Sequence, residues 1–322
     1  MNDSHLEAAR RAGAAWGLED ATISELSRSE NVVFRVDVEG ERPLVLRLHR
    51  PGYNSVAQLQ SEVSWVRSLE EAGLPVPRAI ATPGGDHYVA VDVDGIEHQA
   101  GVVDWVDGTP LREHDPMPVE CFRRLGELAA GVRRHAEQWR IPAGFDRRSW
   151  DAAGFVGESP LWGRFWEADD LDPEQRSVLA AAREALRTEL GSLSTGPERF
   201  GLIHADLHTA NVMADGDRLT MIDFDDAGFG WWTHELAVAL FDRHGEDDYD
   251  EARRLILEGY RSVHPLDAEE EATIDTFLVV RHCMLVGWLD HRKDLEGYAD
   301  KFPRIAAGAN TVAGEWLESR RT

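Results

Sequence analysis

Asp206, Asn211 and Asp223 are the side chains whose types and spacing invite a chemical reading of this sequence. The stretch 202–230 passes from the apolar Leu202 and Ile203 into a polar loop, His204 to Asn211. A turn at Asp215-Gly216-Asp217 follows, then an apolar run, residues 219–222, that ends on Asp223. Apolar strands that end on clustered carboxylates and an amide are costly to build unless those groups bind something. A carboxylate at Asp206 can orient an acceptor hydroxyl and take its proton late in phosphoryl transfer. Asn211 lies five residues on and Asp223 a further twelve, and each can give an oxygen ligand to Mg²⁺ bridging the phosphates of a donor.

Other readings fit parts of the same stretch. His204-x-Asp206-x-His208 puts three possible ligands on one side of an extended segment, as in a transition-metal hydrolase, but no second His cluster completes such a set. Asp223-Phe-Asp225 after an apolar strand has the form of the aspartyl nucleophile pair of haloacid-dehalogenase-type phosphatases. That pair follows the first strand of a βαβ fold, whereas here it lies two-thirds along a chain that does not alternate strand and helix. A loop held only by its own polar hydrogen bonds is the remaining alternative. In the phosphoryl-transfer reading His204 is structural, His208 touches donor or acceptor or simply packs, Asp225 assists the metal and Asp226 caps or turns.

The elements that must carry these groups are legible in the hydrophobic pattern. Residues 31–38 alternate and end at Glu39-Gly40-Glu41, and residues 44–48 form the partner strand. Residues 56–72 show helical spacing, with Leu59, Val63, Val66 and Leu69 on one face and Gly73 as C-cap. Strands follow at 87–93 and 99–106. Beyond Asp107-Gly108-Thr109-Pro110 helices are predicted at 119–139, 173–190, 233–243, 250–263, 268–289 and 303–317. The layout is α+β and two-lobed: residues 1–104 as a five-stranded antiparallel sheet with one helix, residues 105–322 as a mainly helical body, hinged near 104–107.

A chain of 322 residues with 43% hydrophobic and 29% charged residues is expected to be globular, and its formal charge of -25 argues against a nucleic-acid surface. Cys121 and Cys283 show no metal spacing and suit a reducing cytoplasm. The N-terminal residues lack an apolar signal-peptide core, and residues 277–289 are too short and too charged, at Arg281 and His282, to span a membrane.

His204-Ala-Asp206-Leu-His208-Thr-Ala-Asn211, with Ile222-Asp223-Phe-Asp225-Asp226, resembles the aminoglycoside phosphotransferase family of kinase-like enzymes. Within it the sequence is most similar to the group that holds type II homoserine kinases and stress-response kinase A. Ser29-Glu30-Asn31-Val-Val-Phe-Arg-Val, Leu44-Val-Leu-Arg47-Leu and Gly73-Leu-Pro-Val-Pro occur in the family's order. The resemblance implies a two-lobed protein-kinase-like fold with ATP between the lobes, Asp206 as catalytic base, and Asn211 and Asp223 as Mg ligands.

It further implies that Arg47, at the position of the kinase lysine, holds the donor phosphates, where Glu62 on the following helix could pair with it; two ordinary surface charges are the alternative. No glycine-rich flap is present, so Ser29 and Asn31 would meet the phosphates. Val45, Met213 and Ile222 match the apolar positions around adenine, with the backbone of Asp104 to Val106 reading the purine edge. The sequence departs from the family at Arg47, at Thr209-Ala210, where Pro-Gly is common, and at Glu235, where Asp is common.

On the acceptor side Trp150, Trp162, Trp166, Trp231 and Trp232, with Glu167, Asp169 and Asp170, could cage an ammonium group or simply form core. The expected acceptor is a small, amine-bearing hydroxyl compound such as homoserine, choline or an aminoglycoside. A Ser/Thr protein kinase and a nucleotide-binding regulator with little catalysis are the alternatives.

Overall fold

The structure, a computed structural model, describes residues 4–28, 31–114, 117–293 and 297–320. In chain order its elements begin with α1 (Ser4–Gly13), β1 (Thr22–Arg28), β2 (Val32–Asp37), β3 (Leu44–Leu48), α2 (Val56–Glu71), β4 (Ala79–Ile80), β5 (Tyr88–Val93), β6 (Ile96–Asp104) and β7 (Thr109–Pro110). There follow α3 (Cys121–Ala136), β8 (Ser149–Trp150), α4 (Ala152–Val156), α5 (Pro173–Ser192), β9 (Phe200–Ile203), β10 (Val212–Asp215) and β11 (Arg218–Met221). The chain closes with β12 (Gly228–Trp231), α6 (Trp232–Leu240), α7 (Tyr249–Val263), α8 (Ala268–Ala272), α9 (Ile274–Asp290) and α10 (Tyr298–Ser319).

Packing divides the chain into two compact units: Met1–Glu113 with Trp139–Arg147 and Ala210–Asp225, and His114–Gln138 with Arg148–Thr209 and Asp226–Thr322. The units interleave along the sequence. The β10–β11 hairpin joins the first unit because β10 pairs with β7, and Arg147 joins it through bonds to α2.

In the first unit an antiparallel sheet runs β1-β2-β3-β6-β4, with β5 also on β6. It has six strands where five were expected. The sixth, β4, has two residues and so cannot show an alternation, and β1 exposes every residue but Ile23. Alternation in β2 and β3 turns Val32, Phe34, Val36, Leu46 and Leu48 onto the alanines Ala8, Ala9 and Ala12 of α1. Each large side chain buried there contributes roughly 1.5–3 kcal/mol. The same alternation turns Val45 and Arg47 to the opposite face.

α2 starts at a capping box in which Ser55 accepts from Gln58 N and Gln58 accepts from Ser55 N. It ends as the sequence implies: Gly73 is left-handed (φ 83°) and Leu74 N donates to Leu69 O at 3.0 Å. Between these ends it buries Leu59, Glu62, Trp65, Val66 and Leu69.

The second unit is helical, with a small sheet in the order β8-β12-β9. α3 and α7 approach until their backbones touch. A Cβ on Gly126 would lie 2.0 Å from Ile256 O, and one on Gly259 would lie 1.8 Å from Arg123 O. Gly126→Val is therefore expected to destabilise the protein by about 1–3 kcal/mol or more, read as a lower urea midpoint, whereas an unchanged midpoint contradicts this contact. Residues 268–289 are two helices, since the chain turns at Thr273, whose N–H bonds Glu270 O at 3.0 Å. α10 starts at Tyr298, upstream of the expected 303, and carries Pro303 inside it. The stretch Ala268–Asp290 is apolar and long enough to cross a membrane, and 67% of its most apolar window is buried inside the protein.

Candidate active site

In the first unit a cavity of about 500 Å³ gathers most of the residues expected around a nucleotide. Val45, Arg47, Glu62, Asp104, Val106, Met213, Ile222 and Asp223 all line it. β3 supplies Val45 and Arg47, the end of β6 supplies Asp104, and the β10–β11 hairpin supplies Met213 and, just past its end, Ile222 and Asp223. Asn211 and Asp223 flank the open end of that hairpin: Val212 pairs with Met221, and Ile222 N donates to Asn211 O at 2.9 Å. Asp223 is left-handed (φ 64°), a conformation that Asp tolerates better than most residues, and its side chain is 38% exposed. Ser29 lies outside the described residues.

Arg47 does not pair with Glu62. Its Nη1 lies 3.1 Å from both Asp223 Oδ1 and Asp225 Oδ1. Glu62 instead pairs with the buried Arg147 at 3.3 Å, and Arg147 also donates to Phe224 O (2.9 Å) and Asp225 O (2.7 Å). A guanidinium reaches further than an ammonium and engages two carboxylates, so the Asp pair takes the role expected of the helix glutamate. Burial works against the charge on Arg47, and the carboxylates of Asp223, Asp225 and Glu62 overcome it and raise its pKa. Burial also raises Glu62, helped by the nearby Asp225.

The Asp225 carboxylate receives Arg47 and the Asn31 amide, with His49 Nδ1 at 3.4 Å. Burial alone would raise its pKa, but His49 and Arg47 hold it far below the usual carboxylate range. Asn31 does not line the cavity. Its amide joins Asp225 to Arg50 N, which donates to Asn31 Oδ1 at 2.9 Å.

In the second unit Asp206 follows Ala205, which is left-handed at φ 67°. Arg281 Nη2 donates to Asp206 Oδ1 at 2.6 Å, and His208 Nε2 lies 3.5 Å from Oδ2. Burial pushes this carboxyl up, while Arg281, His208 and His204 pull harder and keep it well below the ordinary range. The departures from the family motif have local uses. Thr209 donates its hydroxyl to Asp242, and Glu235 Oε1 accepts the Ala205 N–H. His204 is fully buried, as a structural residue would be.

Burial raises Glu235 from 4.5 to about 8, against the backbone N–H groups of Ala205 and His204. The folded pKa exceeds the unfolded one, so this residue's stabilisation is complete below pH 4.5 and is lost as pH rises through 8. Glu235→Gln should therefore gain thermal stability relative to wild type across that window. A constant Tm difference from acid to alkaline pH contradicts this assignment.

The tryptophans are core. Trp150 and Trp162 meet edge to face at 5.8 Å, and Trp231 packs on Phe277 and Phe200. The chain's own cations already face three of the rings: Arg281 over Trp162 at 5.0 Å, Arg183 over Trp166 at 4.2 Å and Arg133 over Trp232 at 5.4 Å. Glu167 is bound by Arg164, Asp169 by Lys293 and Asp170 by the Tyr298 hydroxyl. The space an ammonium cage would need is thus filled from within, and the core alternative holds. Asp226 accepts from Arg148 at 3.1 Å, and its carbonyl takes the Trp150 indole N–H at 2.7 Å.

Sequence reading missed Arg147, His49 and Arg281. Arg147 stands in an ordinary charged run, Asp146-Arg147-Arg148, and His49 beside Arg50 has no telling pattern. Arg281 did leave a signal, as the only Lys or Arg in α9.

The Asn211–Asp223 pair is a hard oxygen donor set of the kind Mg²⁺ takes together with substrate phosphates. Among the described residues no group of three or more His, Cys, Asp or Glu side chains is placed to hold a metal ion. The donor chemistry fits magnesium shared with a phosphate ligand, and it does not fit a closed transition-metal centre.

Residues 22–272 match the phosphotransferase enzyme family, APH. Amicoumacin kinase of Bacillus subtilis (strain 168) is 25% identical over 309 residues, covering 92% of this chain and 88% of that protein. Homoserine kinase of Methylobacillus flagellatus is 28% identical over 249 residues, 75% of this chain and 70% of that protein. The solved structure of a microcompartment-associated aminopropanol kinase superposes with a TM-score of 0.84 at 30% identity, covering 94% of each chain. The antiparallel sheet followed by a helical body is therefore a kinase-like fold, and the chain belongs to the APH phosphotransferase family as an enzyme that transfers phosphate to a hydroxyl group.

Proposed function

We propose that the protein is an ATP- and Mg²⁺-dependent kinase of a small, amine-bearing alcohol. The observation that carries this reading is the Arg47–Asp223–Asp225 cluster at the wall of a mostly apolar cavity. A fixed cation beside a half-exposed carboxylate suits a polyphosphate with its metal, and the apolar lining suits a purine.

In this reading Val45, Met213 and Ile222 sandwich the base, and the backbone of Asp104 to Val106 meets its edge. Arg47 holds the donor phosphates, and Asp225, anchored by Asn31 and His49, keeps the guanidinium pointed at them. Asn211 and Asp223 would hold magnesium, which when bound neutralises charge on the transferring phosphate. Asp206 accepts the acceptor's hydroxyl proton, a task that needs the ionised carboxylate that Arg281, His208 and His204 maintain. The small amine-bearing acceptor is supported by the similarity to an aminopropanol kinase and a homoserine kinase.

ADP release is the direct assay, with aminopropanol, homoserine, choline, an aminoglycoside and a casein-like protein as acceptors. Stimulation by a small amino alcohol is the expected result. Stimulation by the protein acceptor alone, or nucleotide binding without turnover on any of them, overturns the proposal.

A further inference from the structure

Arg281 has no place in the family motif, yet its side chain is only 4% exposed and touches the carboxylate of Asp206. It rises from α9, a helix buried on most of its surface. Nη2 donates to Asp206 Oδ1 at 2.6 Å, while Nε and Nη1 are buried without a hydrogen-bond partner. The guanidinium carbon lies 5.0 Å from the centre of the Trp162 ring and 5.7 Å from that of Phe241. Leaving two N–H groups of a buried cation unmatched is costly, and an apolar residue of similar volume would pack there at lower cost. What the arginine adds is one short, directional contact to one oxygen of Asp206.

We propose that Arg281 is a positioning residue for phosphoryl transfer: it pins Asp206 Oδ1, fixing the carboxylate with Oδ2 turned to the acceptor hydroxyl. The inference rests on Asp206 being the group that takes the acceptor's proton. Oδ2 then accepts that proton as the new P–O bond forms. The bridging P–O bond of the donor breaks, and its electron pair leaves with the nucleoside diphosphate. Arg281 exchanges no proton. The Trp162 and Phe241 rings pack against the guanidinium, a contact that a flexible ammonium makes poorly.

Of the groups facing Asp206, His204 and His208 come from its own loop, and His234 and Glu235 come from α6. His234 is held neutral by burial, its pKa lowered to about 3. Glu235 is bound to the Ala205 N–H. Arg281 is thus the first of the charges that keep Asp206 ionised against its burial.

Arg281→Met and Arg281→Lys in the full-length protein test this, with ATP turnover measured over aminopropanol, homoserine and choline, and ¹³C-aspartate NMR following the Asp206 titration. Arg281→Met should lower kcat about 10–100-fold, with KM for ATP unchanged. The Asp206 titration should move up by about 1–3 pH units. Arg281→Lys should restore the titration more fully than kcat, because it returns the charge without the planar fork. If Arg281→Met fails to fold, Arg281→Lys alone carries the test: lowered kcat with a near-native titration supports positioning, and wild-type kcat contradicts it. A folded Arg281→Met with wild-type kcat and an unmoved titration overturns the proposal. Asp206→Asn separates the two levels. Wild-type turnover by that variant removes the base assignment itself, whereas an inactive Asp206→Asn beside a fully active Arg281→Met removes only the role given to Arg281.

Discussion

Asp206→Asn should bind ATP about as tightly as wild type and turn over about 10²–10⁴-fold more slowly. The amide is isosteric, so the loop keeps its shape, but it cannot accept the hydroxyl proton. It also turns the Arg281 contact from an ion pair into a contact between a cation and a neutral amide. Nucleotide binding is expected to survive because the groups assigned to the donor, Arg47, Val45 and Asp223 among them, line a cavity in the other packing unit. Turnover within tenfold of wild type contradicts the base assignment. Loss of ATP binding shows that the residue acts on the donor instead.

Asp223→Ala should abolish the magnesium dependence of nucleotide affinity. Removing a charged ligand of this kind costs about 2–3 kcal/mol, or about 30–150-fold in Kd for the metal–nucleotide complex. Affinity for ATP without metal is expected to hold or to improve, because Arg47 loses one of the two carboxylates that compete for its charge while keeping Asp225. Isothermal titration with and without Mg²⁺ separates these effects. An unchanged metal-dependent affinity contradicts the role given to Asp223. An equal loss with and without metal assigns Asp223 to holding Arg47 only.

Much of this architecture can be read in the sequence because its signals are local. Alternation in residues 44–48 places Val45 and Arg47 on one face, and both line the cavity. The capping box at Asp172 and Gln175, with Pro173 at the first helical position, fixes the start of α5. What the sequence hides is pairing over long distances. Arg47 meets its carboxylates 176 and 178 residues away, and Glu62 meets Arg147 after 85, so no spacing rule could have exchanged those partners. The tryptophans left two readings open, cage or core, for a related reason. A ring at helical spacing shows that a face is aromatic, but not that the chain's own arginine already covers it. Strands of two residues, such as β4, β7 and β8, are too short for any period to register.

The central claim is transfer of the γ-phosphate of ATP to a small hydroxyl compound, and product identification tests it most directly. Wild-type protein with Mg²⁺, ATP and aminopropanol, homoserine or choline, followed by ³¹P NMR, should give ADP and one new phosphate monoester in equal amounts. The monoester should be absent with Asp206→Asn. ADP accompanied only by inorganic phosphate, or phosphate carried on protein with every small acceptor inert, would contradict the account.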